Sequence, residues 1–233
     1  MPVAIITGAS KGLGRALGAG LAGRGWDLVL DARDPGPLAE AADALTVYGT
    51  RVAAVPGDVT DAGHRTELVA RARELGGGVV DLLVHNASAL GAEPLAELAE
   101  LAPEGLRRAL DVNVVAAHGL VREALPLLRE APAGAVVAVS SDAAVEAYGT
   151  WGGYGASKAA LDQLAAVLGV EEPGLRVWAV DPGDMATDLY AAAVPDDDAP
   201  RPAPESVVPA FLRLLDERPP SGRYRAPALV AGR

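Results

Sequence analysis

The chain contains no cysteine. Disulfides, thiolate nucleophiles and cysteine-ligated zinc or iron–sulfur clusters are therefore excluded, and no metal site is expected. Aromatic residues make up only 4% of the chain, so Ala, Val, Leu and Gly carry the apolar load. Positive charge is in deficit, with a net charge of −11. A general nucleic-acid binder is disfavoured, because a phosphate backbone needs clustered Lys and Arg. The deficit leaves room for an enzyme that builds one local anion site. No stretch approaches about 20 apolar residues free of charge, so no membrane association is expected. No charged n-region or cleavage site precedes the first apolar run. The expectation is a chain without a signal peptide, in the cytoplasm.

Half of the 233 residues are hydrophobic, which suits one folded α/β domain over residues 1–233. Short β-branched runs alternate with longer helical ones. Pro2–Thr7, Asp27–Ala32, Arg51–Pro56, Val79–His85, Ala135–Ser140 and Leu175–Val180 read as strands. Arg223–Arg225 reads as the start of a last short strand. Arg15–Arg24, Pro37–Tyr48, Ala62–Leu75, a long region Pro103–Leu128, Tyr154–Leu168 and Glu205–Glu217 read as helices. This alternation predicts a Rossmann-like, doubly wound parallel sheet of about seven strands with helices on both faces. Ala191–Pro204 is crowded with Asp and Pro and is not expected to be regular. Residues 184–204 read as a mobile loop over a substrate cleft, or simply as a solvated surface loop.

Gly8, Gly12 and Gly14 lie in TGASKGLG between the first strand and first helix. Glycines at such a turn allow φ > 0. They also bring backbone N–H groups close to a pyrophosphate at a helix N-terminus. Ser10, Lys11, Gly12 and Leu13 join Gly8 and Gly14 as candidate cofactor contacts. Asp31, Ala32 and Arg33 end the second strand. Arg33 could grip a 2′-phosphate bidentately, and Lys11 could reach the same group. Two cations near one spot favour NADP(H). Asp31 facing the ribose would favour NAD instead, but strand alternation points neighbouring residues to opposite faces.

Tyr154 and Lys158 are four apart in YGASK, so they share a helix face. A nearby ammonium and a helix N-terminus both favour phenolate, which would fit Tyr154 for proton exchange. Ser141 follows the fifth strand and could hydrogen-bond a substrate oxygen; Ser140 is the adjacent alternative. Asn113 sits inside the long helical region. It either holds a water on a proton path toward Lys158 or is a tolerated polar residue.

In sequence order the chain carries TGASKGLG at 7–14, Arg33, GDVTD at 57–61, NAS at 86–88, Asn113, Ser141, YGASK at 154–158 and PGDMAT at 182–187. This series resembles the short-chain dehydrogenase/reductase (SDR) family, of the compact single-domain kind called classical. The resemblance covers nearly the whole chain. It implies that Asp58 holds the adenine amino group with Val59 beside the ring, and that Asn86 and Ala87 line the adenine-ribose side. It implies Tyr154 as acid/base, with Lys158 binding the nicotinamide ribose and lowering the tyrosine pKa. Ser141 would orient the substrate and Asn113 would maintain the proton relay. Pro182, Gly183 and Thr187 would hold the nicotinamide end. Family members commonly form homodimers or homotetramers through the helices containing Asn113 and Tyr154. Two departures stand out: the family usually has Gly where this chain has Ser88, and often Asn where it has Trp178.

The expected activity is an NADP(H)-dependent ketoreductase or alcohol dehydrogenase, acting on a small carbonyl or alcohol substrate. Ala143, Tyr148, Trp151, Met185 and Tyr190, beside Ser141, are candidate pocket residues, and their apolar character suggests a substrate with a hydrophobic part. The alternatives are a catalytically silent NADP-binding sensor or scaffold, and a non-redox reaction in the same cleft.

Overall fold

The computed structural model describes residues 1–231. Seven strands form one parallel sheet: β1 (Val3–Ile6), β2 (Asp27–Ala32), β3 (Val52–Pro56), β4 (Leu82–His85), β5 (Ala135–Val139), β6 (Arg176–Asp181) and β7 (Gly222–Arg225). Their order is β3-β2-β1-β4-β5-β6-β7, so the direction of winding reverses between β1 and β4. Crevices at such a reversal, outside the carboxyl ends of the strands, are where open α/β sheets bind ligands.

The helices are α1 (Gly12–Ala22), α2 (Pro35–Asp43), α3 (Ala62–Gly76), α4 (Pro103–Leu110), α5 (Ala117–Glu130), α6 (Gly152–Glu171), α7 (Asp188–Ala193), α8 (Val208–Glu217) and α9 (Ala226–Ala231). Alternate strand residues face opposite layers, as the period of two requires. Ile6, Leu28, Leu30, Val84, Val137 and Val139 pack with α1, α2 and α8. Val3, Ile5, Val29, Leu83, Val136 and Val177 pack with α3, α5 and α6. Covered on both faces, the central strands are apolar almost throughout. Buried Asp27 is balanced by Arg51, which grips it through Nε at 3.0 Å and through Nη2 at 2.5 Å. Trp178 is fully buried and donates its indole N–H to the Pro219 carbonyl.

The structure differs from the sequence reading at several places, three of which bear on the site. The helix expected from Arg15 begins at Gly12, inside the glycine turn. The long region expected as one helix contains a π-helical turn, Asp111–Ala116, that carries Asn113. The segment from Ala191 is not wholly irregular, because α7 runs through Ala193 before the prolines stop it. Thr187 caps α7 by accepting from Tyr190 N–H at 3.2 Å, which overrides the breaker-rich composition that follows.

The glycine turn has little space. A Cβ on Gly14 would lie 2.4 Å from the Gly8 carbonyl and 2.5 Å from Asn86 Nδ2. Gly14→Ala should therefore cost about 1–3 kcal/mol of stability in chemical denaturation. Gly174→Ala, where a Cβ meets nothing within 4 Å, should stay within about 0.5 kcal/mol.

Candidate active site

A cleft of about 660 Å³ opens at the carboxyl ends of the strands, within the range of small-molecule and cofactor sites. Its floor at β1 is the glycine turn. Gly8 and Gly12 hold φ of +64° and +55°. Lys11 leaves the N-terminus of α1 without a side-chain cap, so the first N–H groups of that helix remain available to an anion. Gly8, Ser10, Lys11, Gly12 and Leu13 line the cleft, whereas Gly14 is packed beneath it. Asn86 secures the turn, its Nδ2 donating to the Thr7 and Gly8 carbonyls at 2.9 Å each.

At one end lie Arg33, Asp58, Val59 and Arg108. Burial pushes the Asp58 carboxyl up, but Thr60, Arg108 and Arg33 together hold it below its ordinary value. Arg108, on α4, was not singled out from sequence, since nothing local distinguishes it from other helical arginines. Lys11 makes an ion pair. Its exposed Nζ pairs with Asp188 at 2.7 Å, because α7 brings a carboxylate to the glycine turn, and Lys11 lines the same cleft as Arg33. Asp31 faces α3, as strand alternation requires. Its Oδ1 meets His64 Nε2 at 2.6 Å, and its Oδ2 accepts from Gly8 N–H at 3.4 Å. Burial raises the Asp31 carboxyl despite His64, and the bond to Asp31 raises His64. A Cβ on Gly57 would collide with the His64 ring, so that glycine makes room for the pair.

Tyr154 and Lys158 stand on one face of α6, both buried. Lys158 Nζ donates to the Val139 carbonyl at 2.7 Å and lies 5.5 Å from the Tyr154 ring centroid. Burial pulls the ammonium down to about 8. The expectation of a readily formed phenolate does not hold. Burial pushes Tyr154 up to about 12; the Ser88 hydroxyl opposes this, while Asp142 and Asp181 reinforce it. Desolvation of the phenolate is the largest cause.

Ser140 and Ser141 both line the cleft, Ser141 being the more open. The Ser141 hydroxyl donates to Asp142 Oδ1 at 3.1 Å. Behind it, Arg223 on β7 donates to the Ser141 carbonyl at 2.9 Å and to Asp162 Oδ2 at 3.0 Å. This support joins residues far apart in the chain, so no local pattern announces it. Asn113 is buried behind the cleft, bonded to Ala89, Ser157 and Ser88.

Trp151, Met185 and Tyr190 line the far wall with Pro182, Gly183 and Thr187, and Asn86 and Ala87 line the near side. Two expected pocket residues are not there. Ala143 is packed behind Tyr154, its carbonyl only 2.4 Å from where a Gly155 Cβ would be. Tyr148 is exposed and donates to Asp142 Oδ2 at 3.0 Å, which holds it outside. Arg201 fastens the segment after α7. It donates to Tyr190 Oη and Asp197 Oδ2, both at 2.6 Å, and lies over the Tyr190 ring.

The short chain dehydrogenase family pattern matches residues 2–198. The chain belongs to that family. It is 31% identical over 232 residues to L-rhamnose 1-dehydrogenase (NAD(P)(+)) of a Sphingomonas species, covering 98% of this chain and 85% of that protein. It is 34% identical over 236 residues to cis-4-hydroxycyclohexanecarboxylate dehydrogenase of Sinomonas cyclohexanicum, covering 98% and 86%. Among solved structures, an alcohol dehydrogenase of Thermococcus sibiricus in complex with 5-hydroxy-NADP superimposes with a TM-score of 0.86. That pair is 27% identical, with 97% of this chain and 95% of the other covered. This SDR chain is thus an oxidoreductase of a family that uses nicotinamide cofactors. No helix among its described residues is long and apolar enough to cross a membrane.

His85 ends β4 beneath the site. Its Nε2 has no hydrogen-bond partner among the described residues. Burial, with Lys158 adding to it, pulls the imidazole from 6.5 down to about 4. Protonation therefore favours the unfolded chain. The stabilisation from a neutral His85 is present above about 6.5 and lost as pH falls toward 4, a change of up to about 3 kcal/mol. In urea unfolding between pH 7 and 4, His85→Leu should lose less stability than the parent by about that amount.

Proposed function

We propose that this SDR protein interconverts a ketone or aldehyde and an alcohol, with NADP(H) as cofactor and Tyr154 as the acid/base. The observation that carries the reading is the buried Tyr154–Lys158 pair, set at the inner end of a cleft whose other end presents Arg33 and Arg108. The uncapped N-terminus of α1 and the φ > 0 glycines fit a pyrophosphate. Asp31 is already engaged by His64 and Gly8, which leaves the exposed Arg33 to favour a 2′-phosphate over a bare ribose. The NADP-type ligand of the Thermococcus sibiricus relative agrees with that preference.

When bound, the cofactor supplies or accepts a hydride at nicotinamide C4. The chain's own part is to orient the substrate and move a proton. In reduction the Tyr154 O–H bond breaks as the carbonyl oxygen becomes a hydroxyl. A phenol raised to about 12 is protonated at neutral pH and ready for that direction. Ser141 borders the substrate oxygen, and Lys158 holds the cofactor ribose beside Tyr154. Trp151, Met185 and Tyr190 offer an apolar wall to the hydrophobic part of the substrate. Residues 184–204 act as the substrate loop, opening where Arg201 releases Asp197. Exposed Val115, Leu164 and Val167 support a homodimer or homotetramer through the Asn113 and Tyr154 helices, and the proposed location is the cytoplasm. A silent scaffold would gain nothing from a desolvated ammonium in its core.

Tyr154→Phe should lower the rate of carbonyl reduction by at least about 100-fold, with NADPH affinity changed less than threefold by fluorescence titration. Full activity in that variant overturns the mechanism. In the parent enzyme, alcohol oxidation should rise with pH from 7 to 9, because the phenolate grows more abundant, while reduction stays nearly level. Arg33→Ala should weaken NADPH by about 1.5–3 kcal/mol and NADH by much less. Equal losses for the two cofactors would contradict the NADP preference.

A further inference from the structure

His64 stands behind the cleft, where two of its walls meet. It lies in the first turn of α3 and is buried. Its Nε2 meets Asp31 Oδ1 at 2.6 Å. An ionised carboxylate only accepts, so a protonated Nε2 is the donor of that bond. Another side of the ring lies against Gly57, where a Cβ would come within 2.3 Å of Nδ1. Gly57 N–H donates to the Ala32 carbonyl at 3.0 Å. The loop that carries Asp58 is thus tied to the end of β2 and passes directly over the imidazole.

Asp31 is the group that this arrangement controls. It is buried, yet it borders the cleft together with Arg33 and Asp58. Its Oδ2 is turned to the glycine turn, 3.4 Å from the Gly8 nitrogen, which makes a long and weak bond. Among the described residues no other side chain bonds to Asp31, Arg33 included. A carboxylate at the end of the second strand is the group that holds the ribose hydroxyls in an NAD site. The same carboxylate repels a 2′-phosphate. The short bond from His64 engages it on the side away from the glycine turn and offsets its charge.

We propose that His64 is a specificity-determining positioning residue: by binding Asp31 it withholds that carboxylate from the cofactor ribose and leaves the rim of the cleft to Arg33 and a 2′-phosphate. This rests on the reading of the cleft as an NADP(H) site and deepens it. His64 is not among the residues that line the cleft. Its influence passes through Asp31, so removing it changes which nicotinamide cofactor is preferred rather than how tightly both are held.

The test is the Kd of NADPH and of NADH, each by fluorescence titration at about pH 8, where carboxylates are ionised. His64→Leu should lower the preference for NADPH over NADH by at least about tenfold, with NADH held more tightly and NADPH less so. His64→Gln, whose amide can donate to the same oxygen, should keep the preference within about threefold of the parent. Asp31→Asn placed in the His64→Leu protein should bring most of the preference back, because the carboxylate charge is gone. Should His64→Leu not fold, His64→Asn, polar but too short to reach Asp31, carries the same prediction. A merely structural histidine would weaken both cofactors equally. An unchanged preference in folded His64→Leu or His64→Asn therefore overturns the proposal, as does a loss that persists when Asp31→Asn is added. A parent protein that binds NADH as tightly as NADPH would instead sink the NADP reading on which the proposal rests.

Discussion

The amide of Asn86 holds the glycine turn against the end of β4, and the cleft depends on that clamp. Its Nδ2 serves the carbonyls of Thr7 and Gly8, while Thr7 Oγ1 accepts from the N–H groups of Asn86 and Ala87. These bonds join β1 to β4 where the winding of the sheet reverses. They leave no room for a side chain on Gly14, and they aim the start of α1 into the crevice. Backbone groups that would otherwise be costly to bury are satisfied, and the N–H groups left over are those a pyrophosphate can use.

The inner end of the cleft is built at a cost. An ammonium and a phenol are buried side by side, and burial moves each toward its neutral form. The single carbonyl of Val139 receives the ammonium. Such groups contribute little to stability and much to chemistry, because a desolvated proton donor acts strongly on a nearby oxygen. Arg223 on the last strand, anchored by Asp162 of α6, donates to the backbone carbonyl of Ser141, so the C-terminal part of the chain helps to shape a site assembled mostly by its first two thirds.

Much of this was legible in the sequence because it is local. Apolar runs with β-branched residues gave the strands, and the TGASKGLG and YGASK spacings placed the turn and the Tyr154–Lys158 pair on adjoining elements. What could not be read depends on distant partners. Lys11 was legible in the glycine turn, but its ion pair with Asp188 on α7 was not. Tyr148 looked like a pocket residue until Asp142 drew it outward. Asp31 was ambiguous because its partner, His64, lies on another element. The π-helical turn at Asn113 replaces an ordinary helical turn without any break in the hydrophobic pattern, so periodicity alone does not reveal it. The phenol pKa reflects total burial, which no spacing rule measures.

In the proposed reaction, hydride passes between a bound nicotinamide and a carbonyl carbon in this cleft. The most direct measurement uses NADPH carrying deuterium at both C4 positions, offered with ketones and aldehydes that bear a hydrophobic substituent. The expected product is an alcohol with one deuterium on its carbinol carbon, detected by mass spectrometry. An unlabelled product, or no product while NADPH is bound, would contradict it.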